Sequence, residues 1–271
     1  MQKTDQIIEV VTSWQEFREK WAGGEKRQNF LLRGEMFPFR FAPPPLENVI
    51  EALREEPSTR ILKGFSHTEF LNEPFPEFRD FPIAEARQSS ANVAHFDACR
   101  FAGPGGVFEG LNSIFDQWYQ SLSKHGFSWN EEAAQRAFFY SAPHCATGYH
   151  FDSSYVLVCQ VVGRKRFCWL KEPDRWCSRE VLQECADNYG LMKRPEGITP
   201  DDVIECEMKP GDVLWNILLT PHYVYALDEP TYSFNLTHFD LRCDGELSPA
   251  DEMLQEIRHE RASRHELQSI A

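Results

Sequence analysis

The sequence has no apolar run long enough to cross a membrane. Its longest stretches, such as Val213-Leu214-Trp215 and Ile217-Leu218-Leu219, are a few residues long, where a spanning helix needs about 20. The opening MQKTDQIIEVV lacks the basic and then apolar pattern of a secretory leader. Basic charge is scarce. Twenty-eight Lys and Arg against 42 Asp and Glu leave a formal net charge of −14. Such a field repels phosphate backbones and anionic lipid, so neither nucleic acid nor a membrane is an expected partner. No two of the eight cysteines form a CxxC pair, which excludes a zinc ribbon. Several sit in apolar runs (Val158-Cys159, Phe167-Cys168-Trp169), as reduced core thiols of a cytoplasmic protein would. Repeats of 20–50 residues and low-complexity linkers are also missing.

What is present suits one large core: 271 residues, 42% hydrophobic, with 21 Phe and 7 Trp. The pattern predicts a strand over 6–11, a helix capped by Ser13, a strand over 29–33 and a helix over 46–55. A long ordered loop is expected over 70–90, a strand over 94–101 and a helix over 107–122. From about 137 to 241 the texture becomes short strands and turns: 137–141, 148–162, 165–170, 203–207, 212–218, 222–227 and 232–239, interrupted by helix over 174–190. That pattern means a sandwich or barrel. A helix capped by Ser248 closes the chain, either docked on its own domain or forming a homodimer contact. The expected organisation is one domain over 1–245, with a core at about 137–241 supported by 1–136, followed by a C-terminal helix over 246–271.

His-Phe-Asp occurs three times, at 95–97, 150–152 and 238–240. In a strand, residues i and i+2 share a face, so each copy could present an imidazole beside a carboxylate. With one more His this makes the two-histidine, one-carboxylate triad that suits non-heme Fe(II). A ferrous oxygenase also needs a cation for an oxidisable dicarboxylate co-substrate. Fifteen residues after His150 stands Lys165, beyond a turn at Gly163-Arg164; the same offset from His95 and His238 reaches Gly110 and Met253. A turn at Pro210-Gly211-Asp212, an apolar strand and a second break at Thr220-Pro221 return His222 to the same open end. His150, Asp152 and His222 are therefore the expected metal ligands. His144 and Trp215 are candidate rim residues.

Three blocks resemble the JmjC/cupin-like family of Fe(II)- and 2-oxoglutarate-dependent oxygenases, most closely its asparaginyl-hydroxylase-like and small bacterial cupin-like branch. They are Thr147-Gly148-Tyr149-His150-Phe151-Asp152, Gln160 to Phe167 with Gly163 and Lys165, and Pro210-Gly211-Asp212 followed by His222 and Asn235. The segment Asn29-Phe30-Leu31-Leu32-Arg33-Gly34 is similar to the family's opening strand. The resemblance implies a mainly β fold with flanking helices around a double-stranded β-helix, or jelly roll. It also implies Fe(II), 2-oxoglutarate and O2, with the keto acid's far carboxylate on Lys165, helped by Thr147 and Tyr140, and with Asn235 near the co-substrate. Retention of Asp152 implies hydroxylation rather than halogenation. Departures at Val156, Trp215-Asn216 and Thr220-Pro221 alter the walls of the site. The compact chain favours a small metabolite as substrate, with a protein or peptide side chain as the alternative. A cupin that binds metal without keto acid, or a non-catalytic jelly-roll module, are the readings of another class.

Overall fold

The computed structural model describes residues 8–23, 26–33, 36–64, 73–185, 190 and 192–270, without side chains at 185 and 264–270. The first elements are β1 (Val10–Val11), α1 (Trp14–Ala22), β2 (Phe30–Leu32), α2 (Leu46–Glu55), β3 (Arg60–Lys63), α3 (Ile83–Ala86), β4 (Ala91–His95), α4 (Leu111–Lys124), β5 (Phe127–Ser128) and β6 (Arg136–Ser141). There follow β7 (Tyr155–Val162), β8 (Lys165–Leu170), α5 (Pro173–Trp176), α6 (Arg179–Cys185), β9 (Val203–Met208), β10 (Val213–Asn216) and β11 (His222–Ala226). The chain ends with β12 (Thr231–His238), β13 (Arg242–Cys243), β14 (Glu246–Leu247) and α7 (Pro249–Ile270).

From β6 to β12 the chain passes back and forth between two facing sheets, while β13 and β14 pair with β5 in a third one. The large sheet runs β1-β2-β10-β7-β12-β6-β4-β3, and the small one β11-β8-β9. Residues 146–150 add a fourth, irregular strand to the small sheet, through bridges Ala146↔Tyr225 and His150↔His222. This is the jelly roll. Four strands of the N-terminal region, β1 to β4, lie in the same large sheet as the core strands.

Period-2 alternation gives each face of the large sheet a separate job. Leu31, Val156, Val158 and Leu214 face Phe167, Trp169, Cys206 and Met208 of the small sheet. The opposite face, with Phe30, Tyr155, Trp215 and Phe234, packs against Phe17 of α1 and Trp118 of α4. Each such aromatic contributes on the order of 2 kcal/mol by burial, and several pair edge to face, as Phe17 does with Trp215 at 4.9 Å.

Several expectations are corrected. The stretch 148–162 is not one strand: 146–150 pairs with the small sheet, 151–154 crosses over, and only Tyr155–Val162 joins the large sheet. The strand expected at 94–101 is β4 at Ala91–His95, followed by a 3-10 turn at Ala98–Phe101. Helix α4 begins at Leu111, after left-handed Gly110, rather than at 107. The interruption at 174–190 is two short helices, α5 and α6, with 186–189 outside the described residues. Of the 6–11 strand only Val10–Val11 pairs, and residues 6 and 7 lie outside the described residues, as does Gly34. The described part of the 70–90 loop, from 73, holds a 3-10 turn and α3 and packs on α2 and the β3 edge. At its start α7 buries Ala250, Leu254 and Ile257 in its own domain's core, and Arg179 of α6 pairs with its Glu256 and Glu260 at 3.0 and 2.8 Å. Ser248 caps it, accepting from the Asp251 amide at 3.1 Å.

Candidate metal centre and co-substrate pocket

The change of sheet at 151–154 builds the site. His150 is still paired with β11, where its amide and carbonyl exchange hydrogen bonds with His222 at 3.0 and 2.8 Å. Asp152, two residues on, is already tied to the large sheet: Asn216 Nδ2 on β10 donates to its Oδ2 at 2.7 Å, and the Leu219 amide donates to its carbonyl at 2.8 Å. The pair is thus presented by a crossover between sheets, not by strand alternation.

Both imidazoles have their tautomer fixed in the same way. His150 Nδ1 donates to the Gly148 carbonyl and His222 Nδ1 to the Thr220 carbonyl, each at 2.8 Å. A carbonyl can only accept, so each Nδ1 carries a proton, and the lone pair of each neutral ring is the one on Nε2. The two rings lie 4.2 Å apart between centroids, and Phe167 stacks on His222 at 4.7 Å. One ligand atom from each of His150, Asp152 and His222 lies within 4.8 Å of the others, with His222 Nε2 at 3.6 Å from Asp152 Oδ2. Burial pushes the Asp152 carboxyl up, and burial together with His150 holds His222 well below its ordinary value. Two lone pairs and a carboxylate on one face suit a divalent cation with open positions opposite.

Further into the roll, Lys165 points from the small sheet across to the large one. Its Nζ donates to Ser233 Oγ at 2.6 Å, and Ser233 Oγ donates to Asn235 Oδ1 at 3.0 Å. Lys165 is 7% exposed, and burial pulls its ammonium down to about 7. Among the described residues no carboxylate lies within ion-pair distance of it. The hairpin that aims it requires Gly163, whose φ is +65° and whose missing Cβ would meet the Pro230 carbonyl at 2.2 Å. Gln160 braces the same turn, donating to the Val162 and Gly163 carbonyls. Thr147 Oγ1 accepts from the Val224 amide at 3.0 Å and donates a longer bond to the Val224 carbonyl at 3.4 Å.

Three expected residues fall elsewhere. Tyr140 pairs with Tyr232, in the register that puts Phe139 opposite Ser233. Its side chain therefore joins Phe138 and Phe234 on the helix-covered face, away from Lys165. Trp215, next to Asn216, also points outward; it is fully buried against Phe17, Trp118 and Tyr155 and lines no rim. His144 is exposed at φ +62°, with its amide on the Leu227 carbonyl and its ring 4.0 Å from Asp228, at the end of the 144–150 segment remote from His150. Ser233 and Asn216 are the functional residues that sequence reasoning missed. Ser233 could have been found as the same-face neighbour of Asn235, two residues before it.

Fold and cluster together define a class: a jelly roll with two histidines and a carboxylate gathered at one open end. Within it, residues 123–242 match the family model of the JmjC domain. No curated protein sequence matches the chain. Solved structures share the fold at low identity. The X-ray structure of E. coli ycfD aligns over 85% of this chain and 53% of its own, at 17% identity and a TM-score of 0.54. YcfD, a ribosomal oxygenase from Escherichia coli, in complex with cobalt and succinic acid aligns over 86% and 52%, at 14% identity and a TM-score of 0.52. Its complex with cobalt and 2-oxoglutarate aligns over 85% and 53%, at 15% identity and a TM-score of 0.51. The chain spans about half the length of these proteins. No helix among the described residues is long and apolar enough to cross a membrane.

Proposed function

We propose that the chain is an Fe(II)- and 2-oxoglutarate-dependent oxygenase that hydroxylates a C–H bond, with His150, Asp152 and His222 as metal ligands and Lys165 as the anchor of the keto acid. The working unit is residues 1–245, with 246–271 as its closing helix. Lys165 carries the reading. A buried ammonium whose hydrogen-bond partner is a neutral hydroxyl is costly, and a ligand carboxylate of opposite charge relieves that cost.

The residues fit the groups the family uses. Two neutral Nε2 atoms and the Asp152 carboxylate supply a facial donor set. Bound there, Fe(II) would supply the activation of O2 that is coupled to oxidative decarboxylation of the keto acid. The chain's own part is binding, orientation and exclusion of water. Lys165 and Ser233 hold the far carboxylate, Thr147 offers its hydroxyl, Asn235 fixes Ser233, and Asn216 fixes Asp152. Val156 and Phe167 form dry walls beside the ligands.

For the substrate, the neighbours' description as ribosomal oxygenases supports a protein or peptide side chain. The net charge of −14 adds to this, since it speeds encounter with basic partners. A small metabolite is the second reading. Succinate release measured with Fe(II), 2-oxoglutarate and O2 separates them: basic peptides should raise turnover above the substrate-free rate and free amino acids should not. The reverse result makes the enzyme a metabolite hydroxylase, and no succinate under any condition contradicts the oxygenase.

A further inference from the structure

Two residues with left-handed backbones meet beside the metal cluster. Arg27 has φ +46° and Leu219 φ +58°, a region that non-glycine residues enter at a cost and hold only where their surroundings impose it. Each supports the other. Arg27 Nη1 donates to the Leu219 carbonyl at 2.7 Å, and Thr220 Oγ1 donates to the Arg27 carbonyl at 2.9 Å. Asn29 Oδ1 accepts from the Ile217 amide at 2.8 Å. The loop clamped in this way, 217–220, touches two of the three candidate ligands. The Leu219 amide donates to the Asp152 carbonyl, and the Thr220 carbonyl receives the Nδ1 proton of His222.

Arg27 is a surprising residue to find there. It is fully buried; its other guanidinium arm reaches the largely exposed Asp174, while its Nε lies buried without a partner among the described residues. A hydrophobic side chain of similar size would fill the space without an incompletely satisfied charge. What it could not do is donate to the carbonyl of a residue held at positive φ.

We infer that Arg27 is a positioning residue of the metal centre: with Asn29 it latches the 217–220 loop, holding Leu219 in the conformation that aims Asp152 and His222 at a common ion. This rests on the metal-site reading above. It also assigns the N-terminal segment a role in ligation geometry, 123 residues before the first candidate ligand in the chain (150 − 27).

The test is Co(II) titration of the apoprotein, followed by the visible d–d absorption of the bound ion and by thermal unfolding without metal. Arg27→Met should weaken Co(II) by about 10-fold or more and alter the band shape, as loss of a group that orients ligands does. Leu219→Gly holds positive φ without help, so Arg27→Met/Leu219→Gly should recover to within about threefold of wild type. Wild-type affinity in Arg27→Met, or a double variant as weak as the single one, overturns the latch. If Arg27→Met does not fold, Thr220→Val decides: several-fold weaker Co(II) binding supports the latch, and unchanged binding overturns it. Failure of wild type itself to bind Co(II) removes the metal-site reading and the latch with it, whereas wild-type binding with indifferent variants removes the latch alone.

Discussion

His150-Phe151-Asp152, where the chain leaves the small sheet, and His238-Phe239-Asp240, at the end of β12 in the large sheet, are the same tripeptide, and the fold gives them opposite chemistry. His150 has its Nδ1 on a backbone carbonyl and its Nε2 free beside a carboxylate and a second imidazole. His238 is fully buried among Trp118, Tyr119, Trp129 and Trp215, its Nε2 accepts from Trp118 Nε1 at 2.9 Å, and burial pulls it down to about 3. The third copy is different again: His95 contacts Ser58 at 3.1 Å and accepts from the Asp97 amide. A motif presents a His and an Asp; which nitrogen remains free, and what faces it, decides whether they can bind anything.

The comparison can be broken at either end. His150→Ala should weaken Co(II) or Fe(II) binding by more than about 100-fold, because an open three-ligand site reduced to two donors holds a hydrated divalent ion poorly; a direct metal titration reads this. Next comes Lys165→Met, which should raise the 2-oxoglutarate dissociation constant by about 100-fold. The same substitution should stabilise the apoprotein at neutral pH. The folded pKa of about 7 lies below the ordinary 10.5, so the unfolded chain binds more protons between these values and wild-type stability rises with pH across that window. Urea unfolding at pH 6 should show a gain on the order of 3 kcal/mol for Lys165→Met that shrinks towards pH 10. Keto-acid affinity in wild type should fall as pH rises above about 7, since the carboxylate needs the protonated lysine.

Smaller effects sharpen the contrast. Asn216→Ala should cost about 10-fold in metal affinity by releasing Asp152 Oδ2. His238→Phe should leave metal affinity within about threefold and lower stability by roughly 1–3 kcal/mol, because the buried Trp118 N–H loses its acceptor. The smallest effect lies at the outer-face network of Tyr155, Ser248 and Asp251. Burial pushes Asp251 up to about 6 from 3.8, so between these values the folded state holds a proton that the unfolded chain has lost. Stability should therefore fall by roughly 2 kcal/mol as pH rises through that window, and Asp251→Asn should flatten the slope.

Much of this was legible in the sequence, for identifiable reasons. Helices α1 and α2 announce themselves through the Ser13–Glu16 capping box and a clean apolar stripe after Pro45. The candidate metal ligands and Lys165 stand out because their spacing combines with turn residues such as Gly163 and Pro210-Gly211. Strand β3 was missed because Arg60–Lys63 has a single buried apolar side chain, Ile61. The crossover at 151–154 was hidden because residues on both sides of it are apolar enough to read as one strand. Tyr140 and Trp215 were placed on the wrong face for a related reason: when both faces of a strand are buried, composition carries no inside–outside signal. The contacts of Arg27, 147 residues from Asp174 and 192 from Leu219, leave no local trace at all.

The most direct test of the central claim is an anaerobic titration of wild type, His150→Ala and His238→Phe with Fe(II) and then 2-oxoglutarate, following the weak visible charge-transfer band of the chelated keto acid. The account predicts the band in wild type and in His238→Phe and its absence in His150→Ala. A wild-type protein that binds Fe(II) without developing the band, or a band that survives His150→Ala, would contradict it.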